Sequence, residues 1–325
     1  MSARFRRERI SGAGGAFTLI EMLVSTAIVV VLLVLMISVV VQASAVWQRS
    51  SGTVEAFQSA RLAYDVITRN LSQATLNTYL DYDSASAPTR YLRKSELALQ
   101  SGPAGTGGLP GTPGTGQAFF FQAPLGYTTN ATNYGGLEGL LSTCGYFVSF
   151  TTNNSIPAHV SPTENPFRYR LMQILVPTEN NDIYKGNSGT AWFSAYTNTV
   201  RPVADNIIAL IIRPQDPAAT PPDIGTNYSY DTRKDALTSP QPNTAHQLPP
   251  VMQVTMVAIE EAAARRMEAG TSEPAVIAGA LSGKFQMPSA YQSDLEALEA
   301  RLNEARIPYR VFSSAVPIRE SKWTK

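Results

Sequence analysis

A run of apolar residues near the N-terminus, Gly15 to Val41, limits what this chain can become more than any other feature. From Met22 to Val41 it holds no charge, and only Ser25, Thr26 and Ser38 interrupt it with polar atoms. At a rise of about 1.5 Å per residue, a helix of that length spans roughly 30 Å, the hydrocarbon thickness of a bilayer. One carboxylate, Glu21, stands at its start. An ionised glutamate at the edge of hydrocarbon costs on the order of a few kcal/mol, so it requires a partner. Nothing so apolar on every side is usual in a soluble domain, which sets aside a buried core helix.

Charge fixes the expected orientation. Arg4, Arg6, Arg7 and Arg9 against Glu8 give the leader three net positive charges, and the next charges beyond the run, Arg49 and Glu55, offer no comparable excess. Positive-inside bias then keeps the N-terminus cytoplasmic and sends the rest of the chain across the membrane. Taking the leader's three net charges from the whole-chain value of +1 leaves −2. So nearly neutral a body gives no reason to expect a nucleic-acid partner.

The order Phe17-Thr18-Leu19-Ile20-Glu21 behind a short basic leader resembles the processing site of type IV pilins and type II secretion pseudopilins. The resemblance implies a prepilin peptidase that cuts between Ala16 and Phe17 and N-methylates Phe17. Glu21 becomes the fifth residue of the mature chain and acts in assembly. A new α-amino group and a carboxylate four residues on neutralise each other, within a subunit or between neighbours, and so remove two charges from an apolar bundle. The family normally carries Gly before the cut, where this chain has Ala16. A cut after Gly15 would leave Ala16 first and Glu21 sixth, whereas a cut after Ala16 keeps the Phe-to-Glu spacing. Two other readings remain: a secretory signal peptide, for which Ala43-Ser44-Ala45 supplies the small-x-small pattern, and a plain signal anchor. The run is longer than an ordinary signal-peptide core and holds a glutamate, which weighs against the former.

Beyond the apolar run, helical periodicity continues. Val54, Phe57, Ala60, Tyr64, Ile67, Leu71 and Ala74 recur at spacings of three and four, while Arg61, Asp65 and Arg69 lie between them. The pattern predicts one helix over 17–80, spanning the membrane at 17–41, with Gly52 tolerated or marking a kink. Runs rich in β-formers predict strands at Ala118–Gln122, Gly145–Thr151 and Tyr169–Val176, a short turn feeding a buried strand within Val203–Ile212, and a strand from Leu248 to Ile259. Two stretches read as flexible or exposed loops, 101–116 (SGPAGTGGLPGTPGTG) and 214–250. A short helix is expected over Glu260–Ala269, an amphipathic one over Ser293–Arg306, and a closing strand over Tyr309–Arg319.

The Ile207 and Val251 strands with a long polar loop between them resemble the sheet of J-type minor pseudopilins. With the leader and the C-terminal ending they are most similar to the prepilin-like Verru_Chthon cassette protein C family. The fold class this implies is α+β and pilin-like: a long N-terminal helix packed on an antiparallel β-sheet domain, 81–325, with loop insertions. The implied function is a minor structural subunit of a type II secretion-like or type IV pilus-like filament, whose partners are the prepilin peptidase, other pilin or pseudopilin subunits and the inner membrane. Glu21 argues against the tip-most K-type subunit, which lacks that carboxylate. An adhesive or substrate-binding minor pilin is the alternative within the family.

Residues for chemistry are sparse, and neither an enzyme nor a cofactor is expected. His159 and His246 are the only histidines, which leaves no multi-histidine metal site. Gly186-Asn187-Ser188-Gly189 has its second glycine one residue early for a nucleophile elbow. Cys144, the single cysteine, permits no intramolecular disulfide and reads as a small buried apolar residue. Asp81 with Asp83, or Asp231 with Asp235, are thin candidates for calcium. Tyr127, Tyr134, Tyr228 and Tyr230 are candidates for an exposed aromatic surface.

Overall fold

The structure, a computed structural model, describes residues 18–137, 139–156, 165–181, 191–194, 199–268 and 270–324. The chain divides into two compact units, Met1–Gly52 and Thr53–Lys325. Helix α1 (Leu19–Ser72) is continuous through Gly52 and belongs in part to each. The class is α+β, with an apolar N-terminal helix and antiparallel sheets.

In the first unit, the stretch Leu19–Gln42 is long and apolar enough to cross a membrane, and none of it is buried. Its hydroxyls are satisfied within the helix. Ser25, Thr26 and Ser38 donate to the carbonyls of Met22, Leu23 and Leu35 at 3.1, 3.0 and 2.7 Å. These three hydroxyl protons are therefore paired without any partner outside the helix.

The second unit is built on two sheets. In chain order its strands are β1 (Tyr79–Tyr82), β2 (Tyr91–Lys94), β3 (Leu99–Pro103), β4 (Gln117–Ala123), β5 (Ser142–Thr151), β6 (Arg168–Val176), β7 (Arg201–Asp205), β8 (Ile207–Gln215), β9 (Tyr230–Asp231), β10 (Val251–Ile259) and β11 (Tyr309–Pro317). The larger sheet runs β7-β6-β5-β4-β3-β9, the smaller β11-β10-β8, and β1 with β2 forms a separate hairpin. Short helices α2 (Ala131–Tyr134), α3 (Ala191–Ser194) and α4 (Glu261–Arg266) lie between strands, while α5 (Ala275–Leu281) and α6 (Tyr291–Glu304) precede β11.

Period-two alternation decides which core each strand feeds. Phe119 and Phe121 of β4, with Cys144, Tyr146 and Val148 of β5, enter the main core. Phe120 and Phe147 point the other way, into a second core closed by Trp192 and Phe193 of α3. Phe120 stacks on Phe193 with ring centroids 3.8 Å apart. The larger sheet is therefore buried on both faces. Gly145 makes this possible, because a Cβ there would stand 2.0 Å from Cδ1 of Phe120.

The amphipathic half of α1 lies against both sheets. Phe57, Ala60, Tyr64, Ile67 and Leu71 are buried as the periodicity predicts, and Ala63 joins them. Each large apolar side chain so buried contributes about 1.5–3 kcal/mol. Tyr64 Oη donates to the carbonyl of Val254 at 3.0 Å, lies 2.8 Å from Ser314 Oγ, and its ring packs on Phe312. On the opposite face of the small sheet, Thr255 Oγ1 meets Tyr291 Oη of α6 at 2.8 Å. Asn70 Nδ2 donates to Tyr146 Oη in the larger sheet at 2.9 Å.

Four expectations differ from this arrangement. The helix predicted to reach the region of Leu76 and Leu80 stops at Ser72. There Gln73 and Ala74 turn back onto Asn70 and Leu71, and Arg319 N–H takes the Ser72 carbonyl at 3.1 Å. The run 101–116 begins within β3, and the rest folds onto the larger sheet. Thr112 N–H donates to Val148 O, and Leu210 N–H donates to Thr115 O, each at 2.9 Å. Its glycines serve close approach: at Gly116 (φ +101) a Cβ would sit 2.0 Å from the Leu210 carbonyl oxygen, and at Gly111 (φ +115) 2.8 Å from that of Val148. The stretch 214–250 is not wholly exposed either. Tyr228, Tyr230, Thr232, Ala245 and Leu248 are buried, and β9 pairs with β3. Finally, the turn expected at the head of Val203–Ile212 is confined to Asn206, whose φ of +61 leads into the buried strand β8, while Val203–Asp205 belong to β7 of the other sheet.

Candidate functional site

At the start of α1, the sequence Thr18-Leu-Ile-Glu21 forms a capping box. Thr18 N and Oγ1 both donate to Glu21 Oε2 at 2.9 Å, while Glu21 N–H points back at Thr18 Oγ1 at 3.4 Å. Such reciprocal capping satisfies donors that the first helical turn otherwise leaves orphaned, and the carboxylate sits favourably at the positive end of the helix dipole. The partner described for Glu21 is therefore Thr18, in its own turn. Sequence reasoning assigned Glu21 to an α-amino group and passed over Thr18, although S/T-x-x-E is a readable signature. Ala16 and Phe17 lie outside the described residues, as do His159 and Gly186–Gly189.

The other candidates are not brought together. Asp81 takes Lys94 Nζ at 2.7 Å and Tyr82 N–H at 2.8 Å. Asp83 is enclosed by the hydroxyl and N–H of Thr89 and the N–H of Arg90; these bonds hold its carboxyl down at about 2. Asp231 accepts from Arg233 N–H at 2.9 Å, and Asp235 adopts φ +55 in a turn. Among the described residues no group of three or more His, Cys, Asp or Glu side chains could hold a metal ion. Neither aspartate pair offers calcium a ligand set.

Tyr228 and Tyr230 belong to the main core, which corrects their reading as surface aromatics. Tyr230 Oη donates to Gln247 O at 2.8 Å. Tyr127 is half-buried, and Tyr134 remains exposed. Cys144 is fully buried, and desolvation pushes its thiol up to about 11. His246 is buried too, in a left-handed backbone conformation with φ +51. Nothing in its sequence surroundings signals that geometry.

Compared with known proteins, the sequence matches no family model and no curated protein.

Proposed function

We propose that this chain is a membrane-anchored, pilin-like minor subunit. A prepilin peptidase removes residues 1–16 and N-methylates Phe17. The mature protein waits in the inner membrane with its second unit on the periplasmic side. It then joins other pilin or pseudopilin subunits in a type II secretion-like or type IV pilus-like filament.

The observation that carries this reading is the change of burial along α1. Leu19–Gln42 is wholly exposed and apolar, whereas Phe57 to Leu71 bury one stripe in the folded unit. A helix divided in this way needs lipid, or the same span of neighbouring subunits, around its first half. The position of Glu21 adds support. Once the leader is gone, the new amine belongs to the residue that directly precedes the Thr18 cap in sequence, and Thr18 is the residue that engages the Glu21 carboxylate.

The test is the N-terminal peptide mass after expression with a prepilin peptidase. N-methylated Phe17 is the expected product. A new N-terminus at Val46 would mean signal-peptide cleavage, and an uncut Met1 a plain anchor; either result ends the filament reading. Assembly is checked separately with Glu21→Leu, which is expected to be processed yet excluded from filaments.

A further inference from the structure

A cavity of about 300 Å³ opens between the segment joining α1 to β1 and the C-terminal tail. Leu76, Leu80 and Leu248 give it an apolar wall, and Arg93, His246 and Lys322 give it a polar one. We propose that this cavity binds a small organic carboxylate, with the anion held by Arg93, His246 and Lys322 and the apolar body resting on the leucines.

His246 is the first reason. Its backbone is fixed on both sides: its N–H donates to Thr232 O at 2.8 Å, and its carbonyl accepts from Thr78 Oγ1 at 2.7 Å. These bonds hold a non-glycine residue at φ +51, a conformation that costs free energy and persists where the surroundings impose it. The next residue is clamped as well. Gln247 Oε1 accepts from Thr324 N and Oγ1 at 2.8 and 3.0 Å, tying the C-terminal tail over the cavity. Within this rigid frame His246 Nδ1 is sealed from solvent and has no hydrogen-bond partner among the described residues. A proton there would be stranded, which favours the neutral ring protonated on Nε2. Nε2–H is then the donor that His246 has left to offer a ligand.

The remaining donors point to the same class of ligand. Arg93 commits Nε to Ala245 O at 3.2 Å and Nη2 to Pro242 O at 2.8 Å, which fixes the guanidinium and leaves Nη1 uncommitted. Lys322 is exposed and has no ion-pair partner among the described residues. Against these two cations the described residues of the cavity wall carry one carboxylate, Glu320, so a neutral imidazole leaves them a net charge of one positive unit. A monoanion balances that charge, whereas a phosphate dianion exceeds it. A carboxylate also accepts several donors at once, as this wall provides. The volume suits a ligand at the small end of the range for organic molecules.

The chain has only two histidines, which makes the test direct. The full-length protein, labelled with 13C-histidine and held in detergent micelles, gives two imidazole signals, and His159→Gln identifies that of His246. Titration with hexanoate is expected to move the His246 signal saturably, while hexanamide leaves it in place. Lys322→Gln, an exposed change that breaks no hydrogen bond or ion pair among the described residues, is expected to weaken the response by roughly tenfold, as for loss of one charged hydrogen bond. The proposal is overturned by a response that does not saturate, by an equal response to hexanamide, or by unchanged affinity in Lys322→Gln. A tighter response to inorganic phosphate than to hexanoate overturns it as well. None of these readouts depends on N-terminal processing.

Discussion

Replacing Tyr146 by Phe removes one oxygen from the junction between α1 and the larger sheet, and its cost follows from what that oxygen holds. Tyr146 Oη accepts from Asn70 Nδ2 at 2.9 Å and from Gln173 Nε2 at 2.8 Å. Burial, reinforced by the neighbouring Cys144, raises the Tyr146 hydroxyl well above its ordinary pKa, so the network stays neutral at ordinary pH. The ring itself remains in Tyr146→Phe, so no appreciable cavity opens. What changes is that Asn70, itself buried, keeps a donor with no acceptor, a loss of about 1–3 kcal/mol. Gln173 is half-buried and can turn its amide to water, which adds little. The expected destabilisation is therefore about 2 kcal/mol. Asn70→Leu removes the stranded donor, so in the Tyr146→Phe background it should return part of the loss, with a coupling of about 1 kcal/mol. Urea denaturation of the full-length protein in micelles, followed by near-UV circular dichroism, measures both quantities, provided that the denaturant slope is unchanged. A loss below about 0.5 kcal/mol, or strict additivity of the two changes, would refute the stranded-donor argument.

Gly145→Ala forces a methyl group to within 2.0 Å of the Phe120 ring, which is itself stacked on Phe193 and cannot retreat. Overpacking of this kind is expected to cost about 1–3 kcal/mol, read as a lower urea midpoint in the same assay. Cys144 is expected to resist thiol reagents at pH 8 in the folded protein, because burial holds its thiol at about 11; labelling should appear only as the chain unfolds. Glu261 gives the pH prediction. Partial burial opposes its charge, but hydrogen bonds from Arg168, Arg265 and Asn206 outweigh that and hold the carboxyl at about 2, below its ordinary 4.5. A depressed folded-state pKa contributes stability that is complete above the unfolded value and is lost as pH falls from about 4.5 toward 2. Glu261→Gln should flatten that part of a plot of stability against pH.

How far the fold could be read from the sequence depended on whether a signal was local. The stripe from Phe57 to Leu71 and helix α6 follow from periodicity, since each buries a face that recurs at a fixed spacing, and strands β4, β5, β6, β10 and β11 follow from local runs rich in β-formers. The glycine- and proline-rich stretches did not. Their composition is the ordinary sign of exposed loops, yet Gly111 and Gly116 are required because strand carbonyls pass beneath them, a contact fixed by residues far along the chain. Tyr228 and Tyr230 were misread for the same reason, because only the pairing of β9 with β3 carries that stretch into the core.

Phe119-Phe120-Phe121 shows the limit from the other side. Three consecutive buried phenylalanines identify a strand with no solvent face, but not what covers the second face. Trp192 and Phe193 close that face from α3, a four-residue helix too short for any periodicity to announce. The candidate site divides along the same line. Thr18 and Glu21 are three residues apart, so their capping box was available to a reader of the sequence. His246, Arg93 and Lys322 come from three distant segments, and the ring of His246 is placed by a backbone angle that no neighbouring residue type demands. A cavity assembled in that way depends on the chain's closure, with the tail tied to Gln247 and the helix end tied to Arg319. Its ligand binding should therefore fail wherever either tie is cut, even with all three donors intact.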